Sequence, residues 1–447
     1  MNRFSYTVGL IFIFSFFILY SPKTSNLSNN VDLHQQLLIP LQKEEGCDLF
    51  SGHWVQDLRD SQYTNVSCSS IPESKNCFMQ GRPDSGFLQW RWKPDGCELP
   101  RFDPITFFEI VRGKTMAFIG DSVARNHVES LLCLLSSSTR ENRWIAYPIE
   151  SGTEEMPMGI YKDTEDRTRT WYFPHSNFTL MVIWTRFLVL DEERLINGSA
   201  TGVFDLHLDK MDKNWANKLP EIDYAVLSGA HWFFRKNYLY EKGKKIGCIF
   251  CGEPSIKSLD IDSALQMVIK VVLNYINSCK KCRNILTVLR TFSPAHFANG
   301  AWDTGGSCNG THPLGEKEID LASLDWKIRS IQVEEIKSVR PVARGKKFEV
   351  LDVTKAMMMR PDGHPNSYWG NKWMKGYNDC VHWCMPGPID AWNDFLIALL
   401  RRRIKIWTEA SRIISTRTLR DHQSGIVDGR KAQGVSLNPE KIRSLCS

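Results

Sequence analysis

The sequence predicts an α/β fold, a parallel β-sheet with helices on both faces, preceded by a small cysteine-rich unit. Three observations predict it. Strand-like apolar runs recur at Met116–Ile119, Phe178–Trp184, Tyr224–Leu227, Ile285–Leu289 and Phe348–Val353. Helix-like runs fall between some of them, over Ala124–Leu135 and Ala264–Tyr275. Strands alternating with helices argue for parallel pairing in a sheet covered on both sides. Third, residues 47–100 are rich in Cys and Trp and poor in long periodic runs. Such a unit buries too little surface alone, so it is expected to pack on the larger one and be stapled to it.

Taken in order, the chain opens with Phe4–Tyr20, seventeen residues without a charge, with Arg3 before and Lys23 after. Tyr20-Ser21-Pro22-Lys23 is a poor signal-peptidase site, so residues 1–20 read as an uncleaved signal-anchor with a cytosolic N-terminus. The run lies at the short end of what spans a bilayer, which suits thin membranes of the early secretory pathway. Residues 21–46, rich in Ser, Asn, Lys and Gln, read as a flexible stem. Thirteen cysteines behind a secretory N-terminus imply disulfides in an oxidising lumen. Sequons at Asn26, Asn65, Asn177, Asn197 and Asn309 agree with that compartment.

The first strand of the larger unit, residues 101–400, ends in Gly120-Asp121-Ser122. Helical spacing of Val128, Leu131, Leu132 and Leu135 follows it. A strand–turn–helix presents the Ser122 hydroxyl at a helix N-terminus, where free N–H groups and the positive dipole end stabilise an oxyanion. Near the other end, Asp379-Cys380-Val381-His382 offers a carboxylate and an imidazole three residues apart. Pro386, Pro388 and the amphipathic run Ile389, Trp392, Phe395, Leu396, Leu399 come next, so His382 sits on a loop leading into a helix. Serine needs a base within hydrogen-bond reach and a carboxylate to hold that base in the right tautomer. Ser122, His382 and Asp379 supply that set for acyl transfer.

A second strand end, Leu227-Ser228-Gly229-Ala230-His231, carries further candidates. Gly229 has no Cβ and can bring its N–H close to a substrate oxygen. Arg125, one turn along the helix from Ser122, can point into the site or out to solvent. His231 is another candidate base, but nothing near it in sequence supplies an orienting carboxylate, so it reads as a wall residue or substrate contact. Fifteen tryptophans suit a sugar-stacking cleft, although cores also use them.

Net charge is +6, but Arg401 to Ser447 holds eleven Lys/Arg against four Asp/Glu. This basic tail, residues 401–447, leaves the remainder at −1. A near-neutral body argues against nucleic-acid binding and suits a neutral polysaccharide.

Gly120-Asp121-Ser122-Val123-Ala124-Arg125-Asn126, Asp379-x-x-His382 and Asn76-Cys77-x3-Gly81-Arg82-Pro83-Asp84 resemble the plant trichome birefringence-like proteins, which carry a PC-esterase domain. Trp90-Arg91-Trp92-Lys93-Pro94 and His296-Phe297-x-Asn299-Gly300-x-Trp302-Asp303-x-Gly305-Gly306-x-Cys308 fit as well. The resemblance runs from Cys47 to about Leu400. It implies an SGNH-hydrolase-like domain and a Golgi polysaccharide O-acetyltransferase, with Ser122 as nucleophile and Asp379 and His382 completing the triad. The usual hydrolase Asn of the oxyanion hole is not evident, which leaves the backbone N–H groups of Ser122 and Gly229. No cofactor or metal is implied beyond an acetyl donor. The partners are that donor, a cell-wall polysaccharide acceptor and the Golgi membrane. The branch most similar acts on hemicelluloses, with xyloglucan ahead of glucomannan and xylan. The family pattern implies Cys47–Cys97, Cys68–Cys133, Cys77–Cys384 and Cys308–Cys380. Cys248-x2-Cys251 and Cys279-x2-Cys282 remain, as two more disulfides or as a zinc site, with Cys446 over. A polysaccharide acetylesterase and a non-catalytic wall-polysaccharide-binding protein are the rival functions.

Overall fold

The computed structural model describes residues 47–136, 158–282, 284–343, 345–370 and 376–403. The apolar run at 4–20, the stem, Cys446 and most of the basic tail lie outside them. No described helix is long and apolar enough to cross a membrane.

The strands, in chain order, are β1 (Gly52–Gln56), β2 (Trp90–Pro94), β3 (Thr115–Gly120), β4 (Met158–Lys162), β5 (Thr168–Phe173), β6 (Phe178–Trp184), β7 (Val189–Ile196), β8 (Ser199–Met211), β9 (Tyr224–Leu227), β10 (Asn237–Glu241), β11 (Lys244–Ile249), β12 (Leu286–Arg290) and β13 (Lys347–Leu351). The principal helices are α1 (Pro104–Val111), α2 (Ser122–Ser136), α3 (Ile261–Ser278), α4 (Leu324–Ser338) and α5 (391–403).

The main sheet has the order β13-β12-β9-β3-β6-β5-β4. The pairs β13·β12, β12·β9, β9·β3 and β3·β6 are parallel, and these five strands are the five apolar runs of the sequence, shifted by a residue or two. Strands β5 and β4 extend the sheet antiparallel. A second sheet, β11-β10-β8-β7, was not expected from the sequence.

Alternate residues of β3 enter two cores. Met116 and Phe118 join one that also contains residues of α1, α2 and α5. Ala117 and Ile119 join the other, with residues of α3 and α4. All four are at most 1% exposed. Burying each larger side chain contributes about 1.5–3 kcal/mol, which fixes β3 and hence the start of α2.

The small N-terminal unit has no core of its own at Trp54 and Trp92. Both belong to the core of α1, α2 and α5, and the Trp92 ring meets Phe395 of α5 edge-on. Cys47–Cys97 closes the unit on itself, while Cys68–Cys133 fastens it to α2. Helix α5 runs past the expected boundary at Leu400. Arg402 donates to the Cys47 carbonyl at 2.9 Å, so the first tail residues dock on the N-terminal unit.

Two carboxyls at the start of α5 are half-buried and form no direct ion pair among the described residues, with Arg101 and Arg59 acting on Asp394 only through space. Asp390 accepts from Tyr63 and Ser130, and Asp394 accepts from the Phe102 N–H at 2.6 Å. Burial raises Asp390 to about 6 and, with Asp390 nearby, Asp394 to about 7. A folded-state value above the unfolded one means stability that is complete below about pH 4 and is lost as pH rises through about 7. Asp394→Asn keeps an acceptor for Phe102 and removes the titration. Its thermal midpoint is expected to match wild type near pH 4 and to exceed it by several degrees at pH 8. An equal difference at both pH values would contradict the assignment.

Candidate active site

Asp121 ends β3 and caps α2. Its Oδ1 accepts the Val123 N–H at 3.0 Å, and its carbonyl accepts the N–H groups of Ala124 and Arg125. Ser122 is therefore the first helical residue, and a first-turn N–H has no partner within the helix. The turn is tight because β3 and β9 approach closely. A Cβ on Gly120 would lie 2.3 Å from the Ser228 carbonyl oxygen, so any larger residue would push the strand ends apart. Gly229 follows directly, and its carbonyl accepts from Gln332 at 3.5 Å.

His382 and Asp379 form one unit. His382 Nδ1 and Asp379 Oδ2 are 2.8 Å apart, and Asp379 Oδ1 accepts the N–H groups of Val381 and His382 at 3.1 and 2.9 Å. Burial works against the Asp379 charge, but His382 and these two N–H groups outweigh it and hold the carboxyl well below the usual range. Asp379 is therefore ionised and Nδ1 carries the hydrogen, which leaves Nε2 as the basic nitrogen. That Nε2 is enclosed and hydrogen-bonded to no atom of the described residues.

Asn126 brings the two halves together. Its Oδ1 accepts the Trp383 N–H at 2.8 Å and its Nδ2 donates to the Trp383 carbonyl at 3.4 Å. Asn126 lies one turn beyond Ser122 on the same face of α2, and residues four apart there sit about 5–6 Å from each other. Trp383, the neighbour of His382, is thus tied to α2 one turn beyond Ser122. Ser293, just past β12, joins the opposite wall. Its Oγ accepts from the Trp383 indole at 2.8 Å and its carbonyl accepts from His231 Nε2 at 3.0 Å. Disulfides Cys308–Cys380 and Cys77–Cys384 hold the loop on both sides of His382.

Two expectations need correction. His231 does have a carboxylate near it, since Asp121 Oδ2 lies 3.6 Å from its Nδ1. The proximity arises from the fold, which folds the turn after β9 against the end of β3. Burial disfavours the Asp121 charge, but His231 and Arg290 hold its carboxyl below the ordinary value. His231 Nε2 donates to the Ser293 carbonyl, and its Nδ1 faces this carboxylate. Arg125 is neither a free site residue nor a solvated charge. It donates to the Asp166 carbonyl, lies 3.9 Å from the Asp166 carboxylate, and sits 5.8 Å over the Trp184 ring.

Half of the described tryptophans are structural. Trp54, Trp92, Trp171, Trp215, Trp383 and Trp392 are core. Trp184 and Trp232, 6.0 Å apart, stand at the ends of β6 and beyond β9, and Arg235 reaches from Trp232 toward the exposed Trp302. Of the remaining cysteines, Cys248 pairs with Cys251 and Cys279 with Cys282. No group of His, Cys, Asp and Glu suited to a metal ion occurs among the described residues. Asn65, Asn177, Asn197 and Asn309 all lie on turns or loops.

The structure holds a serine at a helix N-terminus and a carboxylate-oriented imidazole on a loop bonded to the same helix, groups of the kind that acyl transfer uses. Comparison with known proteins agrees. Residues 99–399 match the model of the PC-Esterase family, described as a GDSL/SGNH-like acyl-esterase family found in Pmr5 and Cas1p. Residues 45–98 match the PMR5 N-terminal domain. Xyloglucan O-acetyltransferase 3 of Populus trichocarpa is 90% identical over 404 residues, covering 90% of this chain and 98% of the relative. Xyloglucan O-acetyltransferase 2 of Arabidopsis thaliana is 53% identical, covering 88% of this chain and 90% of the relative. Protein trichome birefringence-like 20 of Arabidopsis thaliana is 40% identical, covering 80% and 72%.

Proposed function

The chain belongs to the PC-esterase family of GDSL/SGNH-like acyl-esterases, and from that premise we propose that it is a xyloglucan O-acetyltransferase working through an acetyl-Ser122 intermediate. The 90% identity to a xyloglucan O-acetyltransferase over nearly the whole of that relative carries the substrate assignment. The Asp379–His382 pair, on a loop bonded to α2 through Asn126, supports the mechanism.

In the first half-reaction His382 Nε2 takes the proton from the Ser122 hydroxyl as Oγ attacks the acetyl carbonyl carbon. The N–H groups of Ser122 and Gly229 receive the oxyanion. The donor's leaving group departs with the proton from His382. In the second half, a sugar hydroxyl gives its proton to Nε2 and attacks the acetyl-serine, and Ser122 Oγ leaves with that proton. Asp379 stays ionised throughout and stabilises the imidazolium. The same relay with water as acceptor is an acetylesterase, the activity in the family's own description.

Incubating the protein with an acetyl donor and a panel of deacetylated oligosaccharides from xyloglucan, glucomannan and xylan separates these readings. Acetylation of xyloglucan fragments ahead of the others is expected. Acetate released with no acetylated sugar would favour the esterase.

We place the protein in the Golgi membrane as a single-pass type II protein with Cys47 onward in the lumen. Support comes from Arg3, the apolar run at 4–20, five sequons and six disulfides. Glycosidase treatment is expected to shift the mobility of a form that retains its N-terminus. A mature N-terminus near residue 21 would overturn the anchor.

A further inference from the structure

Behind the His382 loop lie two histidines that the mechanism above does not use. His364 is buried and His296 half-buried. His364 Nδ1 is 2.7 Å from the His382 carbonyl oxygen, and His296 Nε2 is 3.1 Å from the Met358 carbonyl oxygen. A backbone carbonyl only accepts, so both of these nitrogens carry hydrogen. The other two, His296 Nδ1 and His364 Nε2, face each other at 2.7 Å. Two neutral rings would present two lone pairs to each other there. One added proton turns that repulsion into a charge-assisted hydrogen bond. A second would oppose two like charges in the interior, and burial already pushes each imidazole's proton affinity down.

We propose that His296 and His364 share one proton, and that this imidazole–imidazolium pair is a positioning element for the His382 loop. The surrounding charges support it. Arg82 pairs with Asp84, Arg360 with Asp362, and Lys355 with Glu316. Among the described residues Asp379 is then left with only His382, so the charges described there fall one positive short whenever His382 is neutral. The shared proton fills that deficit. The Trp383 ring stacks on His364 with centroids 4.0 Å apart, an aromatic face against a cation. The pair thus holds the His382 carbonyl and places a positive charge behind the loop. Its catalytic consequence rests on the reading of His382 as the base; the proton count does not.

Neutron diffraction from deuterated crystals at neutral pH tests the count directly. Three deuterons on the four ring nitrogens are expected, and two or four would overturn the proposal. This readout does not depend on acetyl transfer, so it fails separately from the Ser122 mechanism. His296→Gln then tests the consequence, because its amide can donate to His364 Nε2 without adding charge. The acid limb of its kcat/KM profile is expected to move up by about half to one pH unit. A limb that superimposes on that of wild type would show that the pair only packs. His296→Leu, which loses the bridge as well, is expected to lose activity at every pH.

Discussion

Ser122→Ala, Asp379→Ala and His382→Ala each lose acetyl transfer while the protein still folds and is secreted. Losses of about 10⁴–10⁶ in kcat are the scale for such groups. Ser122 and His382 act as one unit, so the triple variant is expected to be little worse than Ser122→Ala alone. Asp379→Ala removes more than a charge. It frees the N–H groups of Val381 and His382 and lets the imidazole turn, so Asp379→Asn is the cleaner variant. An asparagine oxygen can keep the two N–H bonds, but it cannot stabilise the imidazolium. Full activity in Ser122→Ala would end the account.

The second large effect is expected from the parts that hold the loop. Asn126 is fully buried, and its two bonds to Trp383 tie α2 to the His382 loop. Asn126→Ala leaves a buried N–H and a buried carbonyl unpaired, at about 1–3 kcal/mol each. Replacing Cys308 and Cys380 together by Ser typically costs about 2–5 kcal/mol of stability. Both changes also loosen His382 relative to Ser122. A misplacement of about 1 Å can cost roughly a hundredfold in rate. The two contributions separate when turnover is measured well below each variant's melting temperature. Turnover down by about a hundredfold in a folded variant is the expected result. Normal turnover there would show that the clamp serves stability alone.

The parallel half of the main sheet was legible because its strands are buried on both faces and read as continuous apolar runs. Strands β5 and β8 were not. Thr168–Phe173 mixes threonine and arginine with its aromatics, and β8 turns Phe204, Leu206 and Leu208 inward while Asp205 and His207 lie on its other side. That alternation is a period-two signal in the sequence, but it is short and interleaved with charged residues, and longer apolar runs outweigh it. Gly-Asp-Ser and Asp-x-x-His were visible because each is local. What joins them is not local. Asn126 meets Trp383 across 257 residues, Ser293 meets Trp383 across 90, and His296 meets His364 across 68. No spacing rule reports such contacts. The carboxylate near His231 was missed for the same reason, since Asp121 reaches it only after β3 and β9 are paired.

The claim that Ser122 carries the acetyl group is tested most directly by mass spectrometry of the protein mixed with acetyl donor and no acceptor. The account predicts an added acetyl group on the peptide containing Ser122. It also predicts that xyloglucan oligosaccharide removes that group and appears acetylated in its place. The acetyl-serine should build up further in Asn126→Ala if the loosened loop slows its release. Acetylated oligosaccharide formed at the normal rate, with Ser122 never modified at any time point, would contradict the intermediate and point to direct transfer from donor to sugar.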